Sequence, residues 1–408
     1  MAYKVEYNPH YDFISEGYHN KYPKLHPYPA TMLPQIGIKL FEDLDLRPSS
    51  MLDPYCGTGS SFVAGLENGV KSFYGADINP LARLISTVRF TLIDQDDINH
   101  MKQTIKELIA TEQIASPSKC RQLFKNQSYW FSQQVLDDIY MLSEIIAKAT
   151  GGGISSSKQL VDLAFVNAIR SASYVRKGEF KRYRMTPKQI AKFKPDMIEL
   201  FLKHFDSIIL SYEQHYLQHA KEITVSINDE INNLEKYDVV LTSPPYGDSK
   251  TTVAYGEFSR FANEYLAGFN DVGNMDRLMM GGINHHRQFH SEVIDRLMLS
   301  LKPRDEKRSQ AVYSFYSDLA HSISDVSDRV NENGTAIYVV GNRRVCGEIM
   351  PTDQFIAEQL ELNGLRHEIT IERLLSAKAM PILNAPSNVI GEKQTTMNKE
   401  YIVIAKKG

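Results

Sequence analysis

The chain is poor in cysteine: Cys56, Cys120 and Cys346 are its whole complement among 408 residues. Thiols so far apart form neither a disulfide framework nor a pair at metal-ligand spacing, and the expectation is a protein of the reducing cytoplasm. Long apolar runs are missing as well. None approaches the roughly 18 residues of a membrane helix. The opening Met1-Ala-Tyr-Lys-Val-Glu-Tyr7 has no apolar core of a secretion signal. An excess of one charge is also absent, with 46 Lys and Arg against 49 Asp and Glu. That excludes a chain that is basic throughout. It leaves room for nucleic acid, because phosphate affinity needs only a local basic face. What is present is 42% hydrophobic residues, enough for one large domain with an insertion or for two or three ordinary ones.

Punctuation and periodicity divide the chain into residues 1–92, 93–222 and 223–408. The first part opens with a Pro-rich segment around Tyr22–Pro29, and Thr31 is the expected N-cap of a helix with Met32, Ile36, Leu40 and Leu44 on one face. A strand, Ser50–Asp53, runs into the small-residue loop Pro54–Ser60 and a short helix ending at Asn68-Gly69. A second strand, Lys71–Asp77, leads to a helix opened by Asn79-Pro80. Strand and helix in alternation predict a parallel α/β sheet. Residues 93–222 read as a helical insertion, with helices over 101–111, 133–150, 158–171 and 195–218. The α/β pattern returns with Ile223–Ile227 and with Tyr237–Thr242, the clearest buried strand. A helix over 310–330, a strand over 335–341, a helix over 352–363 and strands over 368–374 and 400–406 complete it, around an irregular insertion at 255–308.

Two loops carry the chemistry. In Asp53-Pro-Tyr-Cys-Gly-Thr-Gly59, Gly57 and Gly59 allow backbone N–H groups to approach an anionic group at the sheet edge; alone, the loop also reads as a tight strand-to-helix turn. Asp77 ends the next strand 24 residues after Asp53, where a carboxylate reaches the ribose hydroxyls of an adenosine cofactor, though it also reads as a helix cap. The loop is neither Gly-x-Gly-x-x-Gly nor a phosphate loop ending in Gly-Lys-Ser/Thr, so the single Gly pair suits a smaller anion such as the carboxylate of S-adenosylmethionine. Thr242-Ser243-Pro244-Pro245-Tyr246-Gly247 follows a buried strand. Its prolines lock φ and lack N–H groups, freeing carbonyls to accept from an amine beside the Ser243 hydroxyl. Tyr246 offers a flat face for a base. An exocyclic amine is a weak nucleophile, and acceptors with alignment favour its transition state. Alone, this loop also reads as a Pro-rich strand exit.

The pair of loops resembles the amino-methyltransferases of nucleic-acid bases, whose signatures are a cofactor loop of Asp/Phe-x-Gly-x-Gly type and a catalytic (Asp/Asn/Ser)-Pro-Pro-(Tyr/Phe/Trp) loop. The resemblance covers about residues 22–90, 223–260 and 310–408. It implies a Rossmann-like S-adenosylmethionine-dependent methyltransferase fold, with a mostly parallel seven-stranded sheet and a large helical insertion. It implies S-adenosylmethionine as cofactor without a metal, held by His26, Thr31, Asp53, Tyr55, Gly57, Gly59, Asp77, Ile78 and Asp229, with Ser243, Pro244, Pro245 and Tyr246 catalytic. Asp229 also reads as a turn residue, and Asn342 as either a base-pocket residue or a strand-end turn. Serine in the first catalytic position resembles the form common among N4-cytosine DNA enzymes; N6-adenine enzymes more often carry Asp or Asn.

In the insertion, basic and aromatic residues alternate through Tyr174, Arg176, Lys177, Lys181, Arg182 and Arg184. This pattern suits phosphate contact and stacking, and equally a solvated loop. Lys250 and Arg260 are further phosphate candidates. The loop Gly281–His290 is a second candidate recognition element; its histidines lack an acidic or Cys partner at ligand spacing, so no metal is expected. The expected partner is double-stranded DNA with a flipped base, in a restriction-modification setting with a cognate endonuclease, for an enzyme that is a monomer or dimer. The alternatives are N6-adenine DNA methylation, an RNA base amino-methyltransferase acting on tRNA, a protein or small-molecule methyltransferase, and a non-catalytic nucleic-acid-binding subunit.

Overall fold

The computed structural model describes residues 3–13, 21–29, 31–111, 122–151, 153, 155–179, 181–247, 255–268, 275–283, 287–375, 383–384, 394–395 and 397–408. Lys250, with His285 and His286 of the second recognition candidate, lies outside them. The main sheet contains β1 (Val5–Tyr7), β2 (Ser50–Asp53), β3 (Ser72–Ala76), β4 (Thr224–Asn228), β5 (Tyr237–Thr242), β6 (Val330–Val340), β9 (Leu365–Leu374) and β12 (Lys399–Lys407), in the order β1-β9-β12-β6-β5-β2-β3-β4. Two small ladders stand apart: β7 (Arg344–Val345) with β8 (Glu348–Ile349), and β10 (Leu383–Asn384) with β11 (Gln394–Thr395).

β4, β3, β2, β5 and β6 are parallel neighbours, and β12 inserts antiparallel between β6 and β9. Seven strands thus form the expected sheet. The eighth, β1, pairs parallel with β9 through only three exposed residues, too short to give a period-2 signal. β5 reads Tyr-Asp-Val-Val-Leu-Thr and is buried on both faces, as a central parallel strand must be.

Helices cover both faces. α1 (Pro34–Asp43), α2 (Ser60–Glu67) and α3 (Pro80–Phe90) pack on one; α13 (Glu292–Leu301), α14 (Glu306–Asp328) and α15 (Thr352–Leu362) on the other. Thr31 does not cap α1: Leu33 holds the cap position and Pro34 begins the helix, its fixed φ suiting the first turn. The α2 stop is as read. Gly69 at φ 81° lets the Val70 N–H return to the Gly65 carbonyl at 3.0 Å.

The insertion comprises α4 (Gln95–Thr111), α5 (Gln127–Trp130), α6 (Gln133–Ala149), α7 (Ser156–Ala172), α8 (Pro187–Lys192), α9 (Met197–His215) and α10 (Leu217–Ala220). Its centre is α7, apolar on nearly every side through Leu160, Leu163, Phe165, Val166 and Ile169, as suits a helix enclosed by others. α7 packs on α3, α9 and α11 (Tyr255–Leu266), and its side chains join one continuous core with the sheet face. Among the described residues the stretch 255–308 is largely helical, not irregular as expected. It contains α11, α12 (Met275–Leu278) and α13. α11 buries Phe258, Phe261 and Ala262 at helical spacing, a signal diluted by the Gly, Met and His residues that follow it.

Candidate active site

The loops expected to carry chemistry leave the C-terminal ends of β2, β3, β5 and β6 and meet at one edge of the sheet. Asp53, the last residue of β2, turns inward and is 3% exposed. Its carboxylate accepts from the Ser61 hydroxyl, from the Tyr55 N–H at 3.0 Å and from the Thr242 hydroxyl at 2.5 Å. Burial pushes its pKa up to about 6, against those donors. Thr242 ends β5, so one buried carboxylate ties the Asp53–Gly59 loop to the residue preceding Ser243. Tyr55 also points away from the loop, its hydroxyl donating to Ser322 on α14.

Gly57 and Gly59 have φ of 51° and 73°, a region that L side chains rarely adopt. A Cβ on Gly59 would meet the Phe90 ring at 2.3 Å. One on Gly57 would find nothing nearer than 4.0 Å, so this backbone borders open space. From behind, Ser86 donates to the Gly57 carbonyl at 2.6 Å and Arg89 donates to the Thr58 carbonyl. Asp77 accepts from the Gly57 N–H at 3.0 Å and from the Asn79 N–H at 2.7 Å. Both readings of Asp77 are therefore compatible: it braces the start of α3, while Asn79 itself is the N-cap. Burial pushes Asp77 up to about 6, with the Asn79 and Gly57 N–H groups and Arg83 opposing. Ile78 is half-buried beside it. Asp229 is exposed just past β4, at the same sheet edge.

A wall of aromatic residues closes this edge. Tyr28 is buried, accepts from the Asn79 side chain at 2.9 Å, and stacks on Tyr255 with centroids 5.8 Å apart. Tyr255 opens α11, and burial together with the Asp77 charge pushes its phenol up to about 12. His26 is buried against Phe258, and its Nδ1 has no hydrogen-bond partner among the described residues. Burial, with Arg170 and His204 nearby, lowers it to about 3, so the ring is neutral. Thr31 is half-buried and outside the helix. Tyr28 and Tyr255 were not among the expected site residues, although Tyr28 lies within the Pro-rich segment read before α1. The open face of Gly57, the Asp77 carboxylate and the orphaned His26 nitrogen fit a compact adenosine-type methyl donor, with polar groups spaced along one edge.

In the loop after β5, Ser243 Oγ donates to Tyr246 Oη at 3.2 Å, and Tyr246 Oη donates to Glu400 Oε1 at 3.1 Å. Pro244 is buried and Pro245 half-buried. Burial pushes the Tyr246 phenol well above its ordinary range, so it stays protonated. Its ring lies over Gly341, where a Cβ would come within 2.8 Å of Tyr246 Cδ2. Tyr246 also lines a small cleft with Phe315, Tyr316, Arg343 and Met350. Asn342 Oδ1 accepts from the Thr352 N–H at 3.0 Å, at the first turn of α15.

The basic run forms a small loop at the end of α7, closed by a bridge between Val175 and Arg184. Arg182 lies 5.1 Å from the rings of Trp130 and Phe261; Arg184 lies 4.3 Å from Tyr129, beside Tyr174. Both guanidiniums, half-buried, stack on aromatic rings of the protein. Arg260 is likewise engaged, 3.6 Å from Glu264. Arg176, Lys177 and Lys181 are exposed, as are Tyr129 and Tyr183. Arg182 N donates to Glu257 of α11 at 3.1 Å, which joins this loop to the helix carrying Tyr255.

Among the described residues no group of His, Cys, Asp and Glu is arranged to hold a metal, and no helix is long and apolar enough to cross a membrane. No family model matches the chain. It is 30% identical over 416 aligned positions to the type II methyltransferase M.MvaI of Kocuria varians, covering 94% of this chain and 90% of that one. It is also 26% identical over 111 positions to the type II methyltransferase M.MjaII of Methanocaldococcus jannaschii, covering 27% of this chain and 20% of that one. With near end-to-end similarity to M.MvaI and an α/β sheet of methyltransferase order, the chain belongs to the type II methyltransferase family.

Proposed function

We propose that the protein is a site-specific DNA methyltransferase that transfers the methyl group of S-adenosylmethionine to an exocyclic amine, cytosine N4, of a flipped base. The observation that supports this reading is the junction of the two loops: Asp53, which precedes the Gly57/Gly59 loop, accepts from Thr242, which precedes Ser243, and Gly57 in turn donates to Asp77. Similarity to proteins named type II methyltransferases supports it.

In this reading Asp77 takes the ribose hydroxyls, the Gly57 backbone faces the methionine end, and Asp229, Ile78 and Tyr28 border the adenosine. The bound donor supplies an electrophilic methyl group. Ser243 and the Pro244 carbonyl accept the amine N–H bonds, which keeps the nitrogen lone pair aimed and favours its rehybridisation. Tyr246 stacks on the extruded base. Arg176, Lys177 and Lys181 contact phosphate. A cognate endonuclease completes the biological setting.

The test is expression in methylation-free bacteria followed by long-read sequencing. Modified cytosine in a fixed motif is expected. Modified adenine overturns the base assignment, and methylation of tRNA but not plasmid overturns DNA as substrate. Tyr246→Ala should abolish modification yet still bind cofactor, whereas Asp77→Ala should weaken cofactor binding first. A 2-aminopurine probe at the target that fails to brighten on binding would remove base flipping.

A further inference from the structure

A serine in the first catalytic position raises a question of direction. A hydroxyl has one proton and two lone pairs, so it can donate to a neighbour or accept from it; a carboxylate or carboxamide oxygen there can only accept. The substrate amine needs an acceptor. A serine proton aimed at its nitrogen would engage the lone pair required for attack.

The structure contains a chain of hydrogen bonds that removes this freedom. It begins at Arg373 on β9, 2% exposed and fixed by its Nε donating to the Tyr11 carbonyl at 2.6 Å. Arg373 Nη1 meets Glu400 Oε2 on β12 at 2.5 Å, which fixes that oxygen in place. The other oxygen, Oε1, takes the only proton of Tyr246. Tyr246 Oη is then left as an acceptor, and Ser243 spends its own proton there. The lone pairs of Ser243 Oγ remain for the substrate.

We propose that Glu400, fixed by Arg373, is a positioning residue that sets the direction of these bonds so that Ser243 meets the amine as an acceptor. The inference rests on reading the chain as an amino-methyltransferase. Glu400 touches no reacting atom; it acts through Tyr246 and Ser243. Glu400→Gln keeps the shape but offers an amide donor to Tyr246, which permits the chain to run in reverse. Tyr246→Phe keeps the stacking face and the Glu400–Arg373 pair but leaves Ser243 without its acceptor.

The test is single-turnover methylation of plasmid DNA at saturating S-adenosylmethionine, with S-adenosylhomocysteine affinity measured by calorimetry. Each variant should lower the rate at least tenfold with cofactor affinity within twofold. In a Ser243→Ala background each should cost less than twofold, because there is no serine left to orient. A Glu400→Gln rate within threefold of wild type overturns the proposal, as does a full loss that persists without Ser243. If Glu400→Gln fails to fold, Tyr246→Phe decides by the same criteria. Wild-type protein that methylates no DNA would instead overturn the functional reading itself.

Discussion

Thr242→Val probes the junction on which the site depends. The substitution keeps the branched shape and removes one hydroxyl, the donor 2.5 Å from Asp53. A hydrogen bond to a buried charge contributes about 1.5–3 kcal/mol, and burial already holds Asp53 at a pKa of about 6. Losing a donor that stabilises the charged form raises that pKa further, into the neutral range. The sign follows from linkage. A carboxyl whose folded pKa exceeds its unfolded value binds a proton that unfolding releases, so stability falls as pH rises through that interval. In the wild type the fall ends near pH 6; in Thr242→Val it continues through neutrality. The variant should be close to wild type at pH 5 and weaker by about 2 kcal/mol at pH 8, or about 2 °C in Tm for a chain of this size. Scanning calorimetry at the two pH values measures this, with single-turnover methylation as companion. An equal Tm difference at both pH values, or none, would refute Asp53 as the charged link between the loops.

Asp77 gives a related prediction in binding. Its pKa of about 6 means that the acceptor form is lost in mild acid, so S-adenosylhomocysteine affinity should fall up to tenfold per pH unit below about 6. Asp77→Asn should flatten most of that dependence in calorimetry, and a flat wild-type profile would contradict the assignment. Gly59→Ala should destabilise by about 2–4 kcal/mol, combining a left-handed backbone with a Cβ 2.3 Å from Phe90, and denaturant melts would register it. Replacing Arg176, Lys177 and Lys181 together by Ala should reduce the slope of log affinity against log salt by up to about 3, at about 0.9 per lost phosphate contact. Arg184→Ala should chiefly lower stability, since its guanidinium stacks on Tyr129. An unchanged salt slope in the triple variant would clear this loop of phosphate contact.

The parts of the fold legible in the sequence were those governed by local rules. β5 could be read because a strand buried on both faces must be mostly apolar, here Val239-Val-Leu241, and Asn68-Gly69 because a helix ending there needs a left-handed residue. The turn at Gly57 and Gly59 was legible for the same reason, since both glycines take a left-handed backbone. Thr31 misled because the polar residue sits three positions before Pro34, and proline took the first turn instead.

The rest of the site depends on contacts between residues far apart in the chain. Glu400 reaches Tyr246 across 154 positions, and Arg182 reaches Phe261 on α11, a helix that composition had hidden. Basic residues interleaved with aromatic ones were read as a surface for phosphate and bases. Arginines of the same run also stack on rings of α5 and α11, partners that local spacing does not reveal. Here Arg182 and Arg184 brace the loop while Arg176, Lys177 and Lys181 face solvent. The brace ends on Glu257 of α11, two residues from the Tyr255 ring that stacks on Tyr28 beside Asn79. Because α7, α11 and the sheet share one core, the insertion is built into the catalytic unit. Under the proposed function, a loop that grips DNA is thereby held in fixed geometry to the wall of the cofactor site.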